Sequence, residues 1–324
     1  MKILVTGSTG FIGSNLCRAL VEAGHQVRAF HRPNSSLRGL EGLTVDHALG
    51  DLTQYATLEA AVAGMEAVFH VAAFMGPRQT GKAYAVTVAG TRAVARAALT
   101  AGVSRLVHTS SVAALGVPET HQISLLNENH TWNFRPERYP YGYAKYLAEL
   151  EIQKAVTQGL DAVIVNPGLV IGPGDQYRQS SSPILQVARR KLSVAVEGGI
   201  NLVHLEDVIA GHLAALERGR TGHRYILGGE NLTYLALVQL AARVAGVPAP
   251  STVIPARILR ILAGPLSLLE SFLSLPLPAD LFNLAGYYFY YNISKARREL
   301  GLPAPRPAEE AVRSALNWFI AQTG

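Results

Sequence analysis

The chain has 324 residues, of which 49% are hydrophobic and 16% are charged, and its formal net charge at pH 7 is +6. This composition predicts a folded protein with one large core or two modest ones, and it argues against intrinsic disorder. The basic residues form no long stripe, so we expect no nucleic-acid partner.

Short apolar and β-branched runs alternate with helical patterns over the first half of the chain. Each parallel strand needs a crossover that returns over the sheet, so the alternation predicts an α/β fold with a doubly wound parallel sheet. We expect five helices between the strands, with helix ends at Gly24, Gly64 and Gly102. The predicted strands span residues 2–6, 26–30, 43–49, 67–73, 105–110 and 161–166.

A glycine-rich turn follows the first predicted strand and leads into an amphipathic helix. Gly7 permits a tight turn, Gly10 lets backbone amides reach a pyrophosphate, and Gly13 lets helix and strand approach closely. The spacing Gly-x-x-Gly-x-x-Gly therefore predicts a dinucleotide-binding loop. Its predicted cofactor-binding residues are Gly7, Thr9, Gly10, Phe11, Ile12 and Gly13.

The end of the second predicted strand bears on the choice between NAD and NADP. An NAD site usually places an acidic side chain there, which binds the ribose hydroxyls. This chain has His31 and Arg32 at that place. An arginine can pair with the 2′-phosphate of NADP, which an acid would repel, so we predict NADP, with NAD as the alternative. Asp51 and Leu52, after the third strand, are expected beside the adenine.

The pattern becomes less regular after residue 168, with turn-rich stretches at 172–175 and 198–199. We interpret residues 1–168 as a dinucleotide-binding domain. Residues 169–199 and 229–324 would form a smaller C-terminal substrate-binding domain. Residues 200–228 are expected to return to the first domain, so that the two domains interleave.

Tyr141 and Lys145 are one helical turn apart, so their side chains can share a face of a helix and converge on one pocket. A nearby cation favours the phenolate form, which makes the phenol a better proton donor and acceptor near neutral pH. The same spacing occurs at Tyr291 and Lys295. Because Tyr291 follows no strand-end serine and lies far beyond the cofactor half, we predict that it belongs to the C-terminal surface.

Several short motifs together suggest a family. They are Gly7-x-x-Gly10-x-x-Gly13, Gly50-Asp51-Leu52, His70-Val-Ala-Ala73, Thr109-Ser-Ser111, Tyr141-x-x-x-Lys145 and Asn166-Pro167-Gly168. In this order they resemble the extended (atypical) short-chain dehydrogenases/reductases of the NAD-dependent epimerase/dehydratase family, over essentially the whole chain. The resemblance implies a Rossmann-type fold. The resemblance is strongest to the dihydroflavonol reductase and 3β-hydroxysteroid dehydrogenase-like branch, and particularly to hopanoid-associated sugar epimerases, through residues 201–207 and 225–231.

The resemblance also implies roles for single residues. Tyr141 would exchange a proton with the substrate oxygen, Lys145 would bind the nicotinamide ribose and lower the pKa of the phenol, and Ser111 would hydrogen-bond the same oxygen. These roles suit a carbonyl that gains alkoxide character as it accepts hydride. Ser110 would point away, since neighbours in an extended chain face opposite sides. The remaining implied cofactor contacts are Val71, Ala72, Ala73, Thr87, Lys145, Pro167 and Gly168.

Two positions depart from the patterns of the family. Relatives commonly have Asn in an Asn-Val-x-Gly-Thr segment, where this chain has Thr87. Threonine cannot span the same distance, which weakens the expectation of a water-mediated proton relay through this position. Sugar dehydratases have an Asp-Glu pair after the strand-end threonine, whereas serines follow Thr109 here. Dehydration is therefore disfavoured.

Apolar residues dominate the region from 259 to 291 and favour a terpenoid, flavonoid-like or steroid-like substrate. We predict an NADP-dependent reductase of a ketone or aldehyde. The alternative is an NDP-sugar epimerase with tightly bound NAD(P), because the diphosphate could pair with Arg178, Arg189, Arg190 and Arg257. A non-catalytic NADP-binding scaffold is a third possibility, against which the intact catalytic residues argue. The apolar residues could also form a homodimer interface.

The remaining expectations concern location and unused side chains. No apolar run reaches the roughly 20 residues that a bilayer requires, so we predict no transmembrane segment and a cytoplasmic location. Cys17 is the single cysteine and is expected in the core. The histidines are scattered, so we expect no metal site, and we expect His70 and His108 to be core or cofactor-proximal groups.

Overall fold

The structure is a computed structural model, and it describes residues 1–74, 84–177, 183–261 and 282–323. Its strands are β1 (Lys2–Thr6), β2 (Gln26–His31), β3 (Asp46–Leu49), β4 (Ala67–His70), β5 (Arg105–Thr109), β6 (Leu125–Leu126), β7 (Ala162–Pro167), β8 (Leu169–Ile171), β9 (Val194–Val196), β10 (Gly199–His204), β11 (Arg224–Leu227), β12 (Glu230–Thr233), β13 (Thr252–Ile254) and β14 (Tyr288–Tyr291).

The α-helices within the same ranges are α1 (Phe11–Glu22), α2 (Tyr55–Val62), α3 (Gly90–Thr100), α4 (Pro140–Thr157), α5 (Pro183–Ala188), α6 (Leu205–Arg218), α7 (Tyr234–Ala245), α8 (Ser294–Leu300) and α9 (Ala308–Thr323). A π-helix at Tyr84–Ala89 precedes α3. Short 3-10 helices occupy Arg38–Leu40, Val112–Leu115 and Pro136–Arg138.

A seven-stranded sheet in the order β11-β7-β5-β4-β1-β2-β3 forms the centre of the fold, and its pairings are all parallel. The chain winds from β1 outward to β3, and then from β4 outward to β11 on the other side. The direction of winding therefore reverses between β1 and β4, and ligands of such sheets bind at the carboxyl ends of the strands beside this point. The predicted doubly wound α/β fold is confirmed.

Helices cover both faces of this sheet. α1, α6 and α8 pack on one face around Leu16 and Val208, and α2, α3 and α4 pack on the other around Leu58 and Ile152. The inner strands are mainly apolar on both sides for this reason, and every residue of β7 is buried. Cys17 is fully buried in the first of these layers, where burial raises the pKa of its thiol to about 12. The prediction that it packs in the core is confirmed.

The crossovers differ from the prediction at one place. Four of the five expected helices are present, as α1, α2, α3 and α4. The prediction of a fifth, between β2 and β3, is wrong, because that connection contains only the 3-10 helix Arg38–Leu40. Pro33, Gly39 and Gly42 interrupt this connection, and Gly42 has a positive φ of 74°. Positive φ values end the other helices at the predicted glycines, with 81° at Gly24, 74° at Gly64 and 67° at Gly102.

The later part of the chain builds a second sheet around β10. β12 pairs with one edge of β10, β14 and β8 pair with the other, and β6 pairs with β14. The expected return of residues 200–228 to the main sheet is therefore wrong for β10. Only α6, which packs on the main sheet, and β11, which pairs with β7, return to it. The assignment of the two parts as cofactor and substrate domains stays a prediction.

None of the described helices combines the length and the apolar composition that a membrane crossing requires. Part of the predicted substrate region lies outside the described residues. This applies to Leu262, Leu266, Leu268, Leu269, Phe272, Leu273 and Arg178.

Candidate active site

The glycine loop connects β1 to α1 at the point where the winding of the sheet reverses. Gly7 has a φ of 71°, and a Cβ atom on it would lie 2.7 Å from the backbone of Ala72. A Cβ atom on Gly13 would lie 2.1 Å from the carbonyl oxygen of Gly7, and one on Gly10 would lie 3.2 Å from that oxygen. Only glycine fits at the first and third positions without a shift of the backbone.

The start of α1 faces this loop with no side-chain cap on its N-terminus among the described residues. The amides of the first helical turn, which includes Phe11 and Ile12, therefore have no partner within the helix and can bind an anion. Ala72 contacts Gly7, so the predicted segment from Val71 to Ala73 lies beside the loop.

A residue that the sequence did not reveal, Tyr177, reaches the loop from the far side. Its hydroxyl donates a hydrogen bond of 3.1 Å to the carbonyl oxygen of Thr9, although 58% of the residue is exposed. The segment that carries Tyr177 also passes close to Asn15, because a Cβ atom on Gly174 would lie 3.3 Å from the amide nitrogen of that side chain. No local pattern marks Tyr177, since it is 168 positions from Thr9.

An open cleft of about 510 Å³ lies at the carboxyl ends of β2 and β3. Its lining residues are Arg32, Pro33, Asn34, Leu49, Gly50, Asp51, Gln54 and Thr57. Arg32 is exposed, so its guanidinium is available to a ligand in this cleft. The Asp51 carboxylate accepts hydrogen bonds from the backbone amide and the hydroxyl of Thr53, at 2.9 and 2.7 Å.

Two predicted cofactor contacts have side chains that are engaged inside the protein. The His31 ring is buried, with Nε2 2.9 Å from Nδ1 of His47 on β3. The Leu52 side chain is also buried and packs against Gly90 at the start of α3. Neither residue lines the cleft, and their roles as cofactor contacts stay predictions.

Helix α4 carries the predicted catalytic pair. Tyr141 lies in its first turn with 37% of its surface exposed, whereas Lys145 is only 3% exposed. The ammonium of Lys145 donates a hydrogen bond of 3.0 Å to the carbonyl oxygen of Thr109 at the end of β5. Burial lowers the pKa of Lys145 from 10.5 to about 8, and the negative charge of Glu149 opposes part of this change.

Ser111 follows β5 and caps the 3-10 helix Val112–Leu115. Its Oγ accepts a hydrogen bond of 3.2 Å from the amide of Ala113. The start of α4 packs on this turn so closely that a Cβ atom on Gly142 would lie 2.8 Å from the carbonyl oxygen of Ala113. The fold thus brings the Ser111 turn and the Tyr141–Lys145 helix into direct contact.

Ser110 faces the opposite way, into the protein, and donates a hydrogen bond of 2.6 Å to Glu149. Glu149 also accepts a hydrogen bond from Asn166 at 2.6 Å and pairs with Arg224 at 3.2 Å. The sequence reasoning missed Glu149 and Arg224. The spacing of Lys145 and Glu149, one further turn along α4, was the available signal.

The remaining predicted contacts lie in the π-helix before α3 and at the end of β7. Thr87 is buried in the π-helix, where its Oγ1 accepts a hydrogen bond of 3.2 Å from the amide of Phe74. Pro167 is buried as the last residue of β7. The amide of Gly168 donates a 3.0 Å hydrogen bond to Leu227, and a Cβ atom on Gly168 would lie 2.7 Å from Oδ1 of Asn201.

Two buried histidines lie beneath the site. His70 contacts the hydroxyls of Thr6 and Thr91 at 2.8 and 2.9 Å, so it is a satisfied core group. His108 lies beside it, with the two rings tilted by 33° and their centroids 5.1 Å apart, and neither of its ring nitrogens has a hydrogen-bond partner in the described part of the chain. Burial lowers the pKa of His70 to about 3 and that of His108 well below its usual value.

The prediction that Tyr291 belongs to the surface is wrong. It is 3% exposed on β14, and its hydroxyl lies 3.5 Å from the carbonyl oxygen of Val112. Lys295 is in α8 and donates a hydrogen bond to the carbonyl oxygen of Arg224 instead. The chain between Tyr291 and Lys295 is not helical at its start, so the one-turn spacing does not place the two side chains on one face.

Apolar and aromatic side chains surround the turn that follows Ser111. They form one cluster, which contains Val112, Leu115, Val117, Leu126, Phe134, Tyr139, Ile226, Leu284, Tyr287, Phe289, Tyr291 and Ile293. Among the described residues no three His, Cys, Asp or Glu side chains are grouped in a way that could hold a metal ion.

This chain is similar to several proteins of known name. Residues 3–228 match the model of the NAD dependent epimerase/dehydratase family. A protein of Synechocystis sp. with the provisional name dihydroflavonol 4-reductase is 38% identical over 329 residues, which cover 97% of this chain and 93% of that protein. Sterol demethylase protein B of Methylococcus capsulatus is 35% identical over 335 residues, with 98% of each chain covered.

A solved structure is similar over the same length. It is the crystal structure of PA4631, a nucleoside-diphosphate-sugar epimerase from Pseudomonas aeruginosa, with a TM-score of 0.83 and 27% sequence identity. The match covers 99% of this chain and 98% of that one. Several further relatives carry the names of reductases.

Proposed function

The chain belongs to the NAD-dependent epimerase/dehydratase family, and on this premise we propose that it is an NADP-dependent reductase of a ketone or aldehyde on a largely apolar substrate. It is an NAD(P)-dependent enzyme of the extended short-chain dehydrogenase/reductase type. The observation that carries the proposal is the buried ammonium of Lys145, one turn from the partly exposed Tyr141 and bound to Thr109 beside Ser111.

The residues present fit a nicotinamide dinucleotide. The loop from Gly7 to Gly13 is so tight that a Cβ atom on Gly7 or Gly13 would collide with the backbone, and it ends in the uncapped start of α1. This loop would hold the pyrophosphate, and Lys145 would hold the nicotinamide ribose. Arg32, in the open cleft, would pair with the 2′-phosphate, which supports NADP over NAD. A bound NADPH supplies the hydride.

The side chains of this chain then manage the oxygen that gains negative charge. The Ser111 hydroxyl accepts from the Ala113 amide, so its own hydrogen is free to be donated to the substrate oxygen. The Tyr141 hydroxyl donates the proton. Lys145, with a pKa of about 8, is mostly protonated at pH 7, and its charge stabilises the phenolate that remains.

The surroundings of Ser111 support an apolar substrate. Val112, directly after Ser111, packs into the apolar cluster, and the buried Tyr291 closes over the same turn. Apolar surroundings beside Ser111 suit a ring system or an alkyl chain better than a sugar diphosphate, whose charges require several cations.

The test is NADPH consumption with a panel of carbonyl compounds: dihydroquercetin, androstenedione, ethyl acetoacetate and, for comparison, UDP-glucose. A reductase oxidises one NADPH per carbonyl reduced and shows no such oxidation with the sugar nucleotide. Tyr141→Phe is the matched control, because it removes one hydroxyl and should leave NADPH binding intact. If no carbonyl compound of the panel caused NADPH oxidation, the proposal would be refuted.

The second candidate is an NDP-sugar epimerase, which the similarity to PA4631 favours. An epimerase would convert UDP-glucose without net NADPH oxidation and would retain NAD(P) through purification. A non-catalytic scaffold would bind NADPH but would turn over none of the compounds. The homodimer and the cytoplasmic location stay predictions, and light scattering tests the first of them.

A further inference from the structure

Glu149 is a buried carboxylate that lies beneath the candidate active site. Its side chain is 5% exposed, and both of its oxygens are bound by protein groups. One oxygen accepts hydrogen bonds of 2.6 Å from the Ser110 hydroxyl and 2.6 Å from the Asn166 amide. The other pairs with Arg224 at 3.2 Å. A carboxylate in such surroundings is fixed in one orientation.

These contacts join the helix of the catalytic pair to the strand end that carries Ser111. Ser110 is the direct neighbour of Ser111, and Asn166 donates a second hydrogen bond, of 2.9 Å, to the carbonyl oxygen of Ser111. Lys145, one turn before Glu149 on α4, donates to the carbonyl oxygen of Thr109. Two successive turns of α4 therefore hold two successive parts of the same strand end.

The charges around Lys145 make Glu149 its anionic neighbour. On its own helix Lys145 lies one turn from Tyr141 and one turn from Glu149, and from β4 and β5 it faces His70 and His108, which burial keeps neutral. Removal of the Glu149 charge would therefore lower the pKa of Lys145 further.

The charge of Glu149 is balanced on its other side by Arg224 of β11. That guanidinium also donates to the carbonyl oxygens of Glu128 and His130, and Lys295 donates to the carbonyl oxygen of Arg224.

We propose that Glu149 is a positioning residue for the reductase reaction: it fixes the Ser111 turn against α4 and keeps Lys145 charged. The inference rests on the proposed function, since it assigns Ser111, Tyr141 and Lys145 to the reaction. It accounts for a buried carboxylate that touches neither the cofactor loop nor the open cleft.

The test compares Glu149→Gln with Glu151→Gln. Glu151 is two residues away on the same helix, has a side chain 8% exposed and is paired with Arg92 and Lys154, but it faces away from the Ser111 turn. Each variant is labelled with [ε-13C]lysine, and the pKa of Lys145 is read by NMR without any substrate. The Lys145 signal is assigned by its loss in Lys145→Met.

We expect the pKa of Lys145 to fall by about one unit in Glu149→Gln and to stay unchanged in Glu151→Gln. With the panel ketone that the wild type reduces fastest, we expect kcat to fall on the order of 10- to 100-fold in Glu149→Gln, with the alkaline limb of its pH profile moved to lower pH. Equal Lys145 pKa values or equal kcat values in the two variants would overturn the inference.

A second variant covers the case in which Glu149→Gln does not fold. Ser110→Ala removes one hydrogen bond to Glu149 and leaves no charge unpaired. A several-fold lower kcat, measured at a temperature at which the variant is still folded, supports the positioning role, and a wild-type kcat overturns it. Failure of the proposed function itself is distinguishable, because the wild type would then oxidise NADPH with none of the panel carbonyl compounds, whereas the NMR titration of Lys145 needs no substrate and would still give its result.

Discussion

Lys145 should make the folded protein less stable at neutral pH. Burial lowers its pKa from 10.5 to about 8. At about 1.4 kcal/mol per pKa unit, this difference corresponds to about 3 kcal/mol of lost stability. Because the unfolded chain binds this proton more tightly than the folded protein does, the penalty is complete below pH 8. It disappears as the pH rises from about 8 to 10.5.

Lys145→Met tests this reasoning, because it removes the titrating amine and keeps an unbranched side chain. The substitution also leaves the carbonyl oxygen of Thr109 without its donor, at a cost of about 1–3 kcal/mol that does not depend on pH. We therefore expect the variant's stability relative to the wild type to fall by about 3 kcal/mol between pH 7 and pH 10.5. The absolute sign at pH 7 does not enter the test.

Urea unfolding of the cofactor-free proteins at several pH values measures this difference. Groups that titrate equally in both proteins cancel in the subtraction. Lys154→Met is the matched control, since Lys154 lies on the same helix with 65% of its side chain exposed. If the Lys145→Met difference follows the same course with pH as that of Lys154→Met, the argument from burial is refuted.

Three further substitutions test the cofactor loop, the cleft and the proton donor. Gly13→Ala would place a methyl group 2.1 Å from a backbone oxygen, so it should weaken NADPH binding and lower the stability by about 1–3 kcal/mol. Gly10→Ala is the control, because its methyl group would lie 3.2 Å from the same oxygen and should cost less. Fluorescence titration of NADPH and thermal unfolding measure both effects, and equal losses in the two variants would contradict the prediction. Arg32→Asp should raise KM for NADPH far more than for NADH, and equal changes would remove the basis for NADP. Tyr141→Phe should lower kcat at least about 100-fold while NADPH still binds. If Tyr291→Phe caused this loss and Tyr141→Phe did not, the assignment of Tyr141 as the proton donor would be wrong.

The features that sequence predicted well depend on local chemistry. Both ends of β1 were predicted correctly, because its apolar run stops at a tight turn that requires glycine. The helix ends at Gly24, Gly64 and Gly102 follow from the same rule, since an unstrained left-handed residue ends a helix. The helix face shared by Tyr141 and Lys145 needs only the 3.6-residue period.

The features that sequence missed depend on distant partners or on context. Tyr291 and Lys295 have the same spacing as the pair in α4, but the 3.6-residue period applies only inside a helix. Between them Asn292 accepts a hydrogen bond from the amide of Ser294 in a turn. Tyr291 is buried because β14 lies inside the second sheet. Arg224, the cation that pairs with Glu149, is 75 positions away, so no local pattern could assign it.

The same separation has a consequence for biosynthesis. At about 5–20 residues per second, a ribosome needs roughly 4–15 s to travel from Glu149 to Arg224. Until then the nascent chain lacks both the cation and the edge strand β11, so the first half should remain sensitive to protease on stalled ribosomes and become resistant only after β11 has emerged from the exit tunnel. We therefore expect a fragment that ends at residue 168 to be less resistant to protease than the same residues in the full chain, because it leaves Glu149 without Arg224 and β7 without its neighbour β11.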